Sequence, residues 1–263
     1  MDYKFLICTI INENILRISL NRPEVLNSFN TEMRLELLEA LQYASLNDNI
    51  RTVFLSSEGR AFSAGQDLKE ILSLEKEKAD PALIVRNTYN PIIKTIRQIE
   101  KPVLCMVNGI AAGAAANIAF SCDIALASTD ASFVESFSQI GLIPDSGGTY
   151  FLPRLIGLQK SSALMMMAEK ISADMAFQMG LIYMAVDPED LEPFALEMAK
   201  KLSLMPTKAL AYIKRALNLS FSNTLDEQLE LEAKLQHLAG KTGDYKEGIK
   251  AFLEKRKPDF KGH

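Results

Sequence analysis

Histidine is nearly absent: His237 and His263 are the only two in 263 residues. His237 falls within a helical pattern and His263 is the last residue, so neither is a good candidate for the positioned imidazole of a Ser-His-Asp or Cys-His mechanism. No Cys-x-x-Cys and no His pair at ligand spacing occurs, which removes the usual metal sites. Neither Gly-x-Gly-x-x-Gly nor a Walker A loop is present, and this disfavours dinucleotide and nucleoside-triphosphate chemistry. Tryptophan is missing altogether, and the cysteines are three: Cys8, Cys105 and Cys122, an odd number in apolar stretches, expected to be reduced core thiols. No apolar run approaches the ~20 residues of a membrane span, and Met1-Asp2-Tyr3-Lys4 has no signal-peptide pattern, so a cytoplasmic protein without a membrane partner is expected. Basic charge is not in excess either. The net charge of −4 argues against a nucleic-acid footprint.

What is present is an ordinary globular balance, with 48% hydrophobic and 24% charged residues. Lys4 to Asn12 and Ile15 to Leu20 read as a β-hairpin, and Thr31 as the N-cap of a helix reaching Leu46. Short strands at Thr52–Ser56, Pro102–Val107 and Asp123–Ala127 alternate with helices at Pro81–Gln98 and Gly113–Phe120, the pattern of an α/β core. Glu75 to Asp80 is charged and expected to be exposed and mobile. Four helical patterns follow Leu158: Pro188–Leu202, Pro206–Leu219, Thr224–Leu238 and Asp244–Lys257. The division expected is a β/α core over 1–195 and a helical module over 196–263.

Three stretches carry chemistry. In Ile143-Pro144-Asp145-Ser146-Gly147-Gly148-Thr149 a lone carboxylate sits between a proline that fixes φ and a glycine pair that permits a sharp turn, in front of an amphipathic run. Ala61-Phe62-Ser63-Ala64-Gly65-Gln66-Asp67-Leu68 and Gly109-Ile110-Ala111-Ala112-Gly113-Ala114-Ala115-Ala116-Asn117 are loops of small residues leading into helices. Small side chains let a ligand reach the backbone, and helix first turns hold free N–H groups and favour negative charge.

Together these segments resemble the signature stretches of the enoyl-CoA hydratase/isomerase (crotonase) superfamily. Val107-Asn108-Gly109 through Cys122-Asp123-Ile124 and the C-terminal Asp244-Tyr245-Lys246-Glu247-Gly248 are similar too. The resemblance implies a crotonase-like (ClpP/crotonase) spiral of ββα units with a C-terminal helical trimerisation module, assembled as a homotrimer or a dimer of trimers. It implies an acyl-CoA substrate and no separate cofactor, coenzyme A being part of the substrate. It places the oxyanion hole on the backbone N–H groups of Ala64 and Ala114. Gln66, Asp67 and Leu68 would lie against the CoA adenine, with Gly113, Asn117 and Phe137 contacting substrate. Lys255 would reach the CoA phosphates, across a subunit boundary or within its own chain.

Hydratases of this superfamily deliver water with two glutamates, and the matching positions here are Asn117 and Phe137. Neither transfers a proton as a carboxylate does, so hydration is disfavoured. Asp145 is the matched carboxylate that remains, and one carboxylate beside an oxyanion hole suits a 1,3-proton shift. Burial would raise its pKa and a helix N-terminus would lower it. Glu135, two residues before Phe137, would share a face with it in an extended segment but matches no catalytic position of the family. The likeness is strongest to the isomerase branch of phenylacetate degradation, which converts a ring-1,2-epoxyphenylacetyl-CoA to oxepin-CoA; a Δ3,Δ2-enoyl-CoA shift uses the same enolate and base. Nucleophilic attack by Asp145 on an aryl-CoA would need a histidine base, and a non-catalytic or weakly hydratase-active acyl-CoA binder is the remaining alternative. The acyl pocket walls are expected between Leu68 and Tyr89.

Overall fold

The computed structural model describes residues 2–74 and 80–263. It begins with the expected hairpin, β1 (Leu6–Ile11) and β2 (Ile15–Leu20), antiparallel and in register from Leu6 opposite Leu20 to Ile11 opposite Ile15. Asn12 and Glu13 both have positive φ, the backbone of a tight turn that matches strand twist. Then follow α1 (Thr31–Leu46), β3 (Thr52–Ser57), β4 (Ala61–Ser63) and α2 (Leu68–Leu74). Next come α3 (Pro81–Ile84), a π-helical turn (Val85–Tyr89) and α4 (Asn90–Gln98), so the single helix expected there holds a wider turn inside it. Most residues of the charged stretch 75–80 lie outside the described ones; Asp80 is described and caps α3 through Ala82 N–H.

Three strand pairs build the core: β3 with β4, β5 (Val103–Val107) with β6 (Ile110–Ala112), and β7 (Ile124–Ser128) with β8 (Ser132–Val134). In each pair the first strand joins a six-stranded sheet and the second a four-stranded one. Helical structure follows each pair, with α5 (Ala114–Ser121) after β6 and α6 (Gly148–Ile156) and α7 (Leu158–Met167) after β8. This is the ββα spiral. The small sheet closes with β9 (Ile171–Ser172), then α8 (Ala173–Met179) leads to β10 (Met184–Val186) at the edge of the large one.

From β2 to β10 the large sheet is parallel, and the central strands β3 and β5 are buried along their whole length. A parallel sheet is covered on both faces, and strand alternation divides the side chains between them. Phe54, Leu104, Met106 and Leu126 pack under Leu191, Ala195 and Ala199 of α9 (Pro188–Ser203). Val53, Leu55, Val103, Cys105 and Val107 enter the main core with α1, α4 and α5. The chain ends in α10 (Thr207–Leu219), α11 (Leu225–Ala239) and α12 (Gly243–Leu253). All three cysteines are free thiols; Cys8 is only partly buried. Among the described residues no helix is long and apolar enough to cross a membrane.

Two sequence expectations are corrected. Asn30, not Thr31, caps α1: it is extended and accepts from Met33 N–H, while Thr31 is already helical and its hydroxyl accepts from Arg34. The last helix stops at Leu253 instead of Lys257, where Lys255 takes positive φ and Arg256 N–H closes back on the Ala251 carbonyl.

Candidate active site

A cavity of about 540 Å³ opens where the two sheets meet the helices that follow them. One wall is aliphatic, from Leu68, Ile71, Leu72, Ile84 and Val85, as expected for the stretch between Leu68 and Tyr89. The opposite wall carries Phe137, Ile140 and Leu142, and the floor is Ala64, Gly65, Gln66, Gly113 and Ala114. Among the described residues Asp145 is the one acid in the lining.

The floor begins at Gly65, whose φ of +85° and near contact with Ala112 exclude other residues. A Cβ there would meet the Ala112 carbonyl oxygen at 2.6 Å. This close approach sets the loop after β4 beside the first residue of α5, Ala114, whose N lies 3.8 Å from that Cβ position. The loop pairs in parallel with Phe29: Phe29 N–H donates to Gly65 O at 2.7 Å and Asp67 N–H to Phe29 O at 3.0 Å. In such a ladder the intervening residue points its own amide the other way. The Gln66 N–H therefore faces away from Phe29, and it has no hydrogen-bond partner among the described residues. The assignment of the oxyanion donor to Ala64 is corrected on this ground. Ala64 lines the cavity, but its N–H donates to Leu26 O at 2.9 Å and is already used.

The Gln66 side chain turns inward. Its Oε1 accepts from Arg34 Nη1 at 2.7 Å and from the Tyr89 hydroxyl at 2.8 Å, and its Nε2 donates to Phe29 O at 3.2 Å. Arg34 is 1% exposed and spreads its guanidinium over Phe29 O, Gln66, Thr31 and Glu70. Arg34 was not singled out from the sequence, and Tyr89 entered only as the end of the expected pocket wall; the available signal for Arg34 is a charged residue among the buried positions of α1. Asp67 serves the fold: Oδ1 accepts from Lys69 and Glu70 N–H and Oδ2 pairs with Arg22 at 3.1 Å, so its carboxylate caps α2.

The second donor is placed by packing. Gly113 (φ +53°) ends the turn after β6 and donates its N–H to Val134 O at 2.8 Å. Ala114 opens α5, so its N–H has no intrahelical acceptor and no other partner among the described residues. Every side chain of α5 is buried.

Asp145 lies three residues before α6. Its carboxylate Oδ1 accepts from the Ser146 hydroxyl at 2.7 Å, and its carbonyl accepts from Gly148 N–H at 2.9 Å and Asn117 Nδ2 at 3.0 Å. Burial pushes this carboxyl above its ordinary range, opposed by the Ser146 hydrogen bond and by the positive field of Arg34. Gly147 makes the turn, at φ +78°; Gly148 is helical, and what demands glycine there is Asn117, whose Nδ2 would lie 2.5 Å from a Cβ. Asn117 is fully buried behind the cavity wall and touches Glu135 and the Asp145 carbonyl, so its expected place against substrate is corrected to a place under the turn. Phe137 does line the cavity. Glu135 does not share its face, because residues 136–140 form a 3-10 turn and not a strand. Lys255 is exposed beyond α12 and does not line the cavity of its own chain.

Fold and site together define an apolar cleft that holds, among the described residues, two free backbone donors and one acid. The chain matches the Enoyl-CoA hydratase/isomerase family over residues 10–263, and it belongs to that family. It is 43% identical over 253 residues to the 1,2-epoxyphenylacetyl-CoA isomerase of Escherichia coli (strain K12), covering 96% of this chain and 97% of that one. It is equally, 43%, identical over 256 residues to a probable enoyl-CoA hydratase of Rhodobacter capsulatus, covering 96% of each. A crystal structure of an enoyl-CoA hydratase/isomerase family protein from Mycobacterium abscessus superposes with a TM-score of 0.93 at 34% identity, covering 98% of this chain and all of that one.

Proposed function

We propose that this chain is a CoA-thioester isomerase in which Asp145 moves the proton and the N–H groups of Gln66 and Ala114 hold the thioester oxygen as it takes on enolate charge. One observation carries the reading: among the described residues Asp145 is the single acid lining a cavity whose floor offers two unpaired backbone donors. Hydration needs a second proton-transfer group beside the water. The candidates for it are an amide buried behind the wall, Asn117, and a phenyl ring, Phe137. The two relatives of equal identity differ in name as isomerase and hydratase, so the isomerase reading rests on the site chemistry.

For a 3-enoyl thioester, Asp145 takes a proton from C2, the electrons pass into the thioester oxygen as a dienolate, and the proton returns at C4. Both donors act on the charge that develops, where one such N–H is worth about 2.7–4 kcal/mol. The phenylacetate-type relative supports a ring-1,2-epoxyphenylacetyl-CoA substrate converted to oxepin-CoA. The aliphatic wall of Leu68, Ile71, Leu72, Ile84 and Val85 supports a linear enoyl chain on the same machinery. Coenzyme A enters as part of the substrate and no other cofactor is required. Exposed apolar side chains, among them Met166, Leu217, Leu225 and Phe252 on helices and Phe221 in the turn between α10 and α11, support a homotrimer or a dimer of trimers.

Asp145→Asn is the test. Turnover of epoxyphenylacetyl-CoA and 3-hexenoyl-CoA should fall roughly 10²–10⁴-fold with acyl-CoA binding retained. Unchanged turnover rejects Asp145 as the base. A wild-type protein that binds both thioesters but exchanges no α-protons into deuterated water is the non-catalytic binder instead.

A further inference from the structure

Behind the Asp145 turn lies a second acid that this reaction leaves unused. Glu135 follows β8 and is 3% exposed. It borders a void of about 10 Å³ with Phe120, Phe133, Leu152 and Leu164, at the lower edge of the space one ordered water needs. Its hydrogen-bond donor among the described residues is the Asn117 amide, Nδ2 to Oε2 at 3.2 Å; Oε1 has none. Among the described residues the charged side chains set near it are acids: Asp145 across Asn117, and Glu169 on the rim of the same void. A carboxylate so placed lacks the cation or the set of N–H donors that burial of charge requires, and such a group keeps its proton instead. Burial pushes the Glu135 carboxyl up to about 8, helped by the charge of Asp145 and opposed by Asn117. Asn117 Oδ1 is also unpaired, so each of the two bonded side chains leaves one buried acceptor without a hydrogen, and a proton on Glu135 supplies one to the cluster.

The same Asn117 amide also donates to the Asp145 carbonyl at 3.0 Å, so one planar group joins the two acids. We propose that Glu135 is a positioning residue for Asp145: as a neutral acid it fixes Asn117, Asn117 fixes the Asp145 turn, and loss of the Glu135 proton lowers activity in alkaline solution. This rests on Asp145 as the base. An ionised Glu135 places a second negative charge next to a carboxylate that must itself be ionised to act, and it removes the hydrogen the Asn117 cluster lacks.

The sign for stability follows from linkage. The folded chain holds a proton at Glu135 that the unfolded chain releases above the ordinary value of 4.5. The stabilisation is full below that value and is lost as pH rises toward about 8. Glu135→Gln is neutral at every pH, so its melting temperature relative to wild type should rise between pH 5 and pH 8.

The experiment compares wild type, Glu135→Gln and Glu135→Ala with 3-hexenoyl-CoA across pH, and records the infrared difference between substrate-free wild type and Glu135→Gln. Wild type should lose kcat on an alkaline limb near pH 8. Glu135→Gln should keep most of its neutral-pH kcat and lose that limb. Glu135→Ala should lose kcat about tenfold with KM little changed, since a buried amide is left without its partner. The difference spectrum at neutral pH should show the carbonyl band of a protonated carboxyl group. Absence of that band, persistence of the limb in Glu135→Gln, or wild-type kcat in Glu135→Ala overturns the proposal. If wild type isomerises no thioester, the assigned reaction fails while the infrared band and the melting temperatures still decide the proton on Glu135. If Glu135→Ala does not fold, Glu135→Gln and the spectrum carry the decision.

Discussion

The loop at Gly65–Gln66 is held by polar side chains, whereas the loop at Gly113–Ala114 is held by the packing of residues with almost no side chain. Around Gln66, a guanidinium, a phenol and a backbone carbonyl converge on one amide side chain. Around Ala114 the constraint is volume: all of α5 is buried, and Gly113 meets Val134 through a single main-chain hydrogen bond. Both loops deliver one free N–H to the same floor. A polar network fixes direction but is sensitive to each member, because a partner removed leaves buried groups unsatisfied. Packing of small residues is insensitive to charge and yields mainly to added volume.

The largest break in this comparison is expected at the point where the loops touch. Gly65→Ala puts a Cβ 2.6 Å from the Ala112 carbonyl oxygen at a φ of +85°, so the loops must separate. Displacing one oxyanion donor costs about 10²–10³-fold in kcat, and a drop in melting temperature should accompany it. Steady-state kinetics and thermal melting read both; a folded Gly65→Ala protein with wild-type kcat would mean that the contact does not set the floor. A smaller effect is expected from Arg34→Met, which empties the polar side of the comparison. Gln66 Oε1 keeps Tyr89 alone, so kcat should fall about tenfold, the worth of a charge-assisted hydrogen bond. Arg34 also lowers the Asp145 pKa, so its loss should move the acid limb of the kcat/KM profile to higher pH. An acid limb that stays in place would separate Arg34 from Asp145.

What the sequence made legible follows the same division. Local chemistry was readable: the Asp145 turn, the hairpin, the alternation of strands and helices, and the place of a pocket wall between Leu68 and Tyr89, though not its aliphatic character. The small-residue loops were readable as loops. Which N–H each offers was implied by the resemblance and not by local pattern; Ala114 does open α5 with its N–H unpaired among the described residues. For the other loop the choice between Ala64 and Gln66 depends on parallel pairing with Phe29, 37 residues away from Gln66, and no local pattern encodes that register. Asn117 and Gly148 form a contact across 31 residues of chain, so their shared role under the turn was hidden as well. Glu135 was seen as an unmatched acid, but a 3-10 turn replaced the extended segment that would have put it beside Phe137.

The smallest expected effect lies on the packed side. Ala114→Gly removes one methyl group, 3% exposed, and leaves the N–H in place. Glycine at the first position of α5 loosens the helix start by about 0.5–1 kcal/mol, which is a small share of a folded domain's stability. Because packing from Ala115, Ala116 and Ile118 still holds α5, kcat/KM should stay within about twofold, since only helix propensity is lost. Kinetics with 3-hexenoyl-CoA measure it. A tenfold loss would show that the Ala114 methyl shapes the acyl site and that volume alone does not hold this loop. A loss confined to KM would assign the methyl to binding, because a uniform change in binding leaves kcat unaltered.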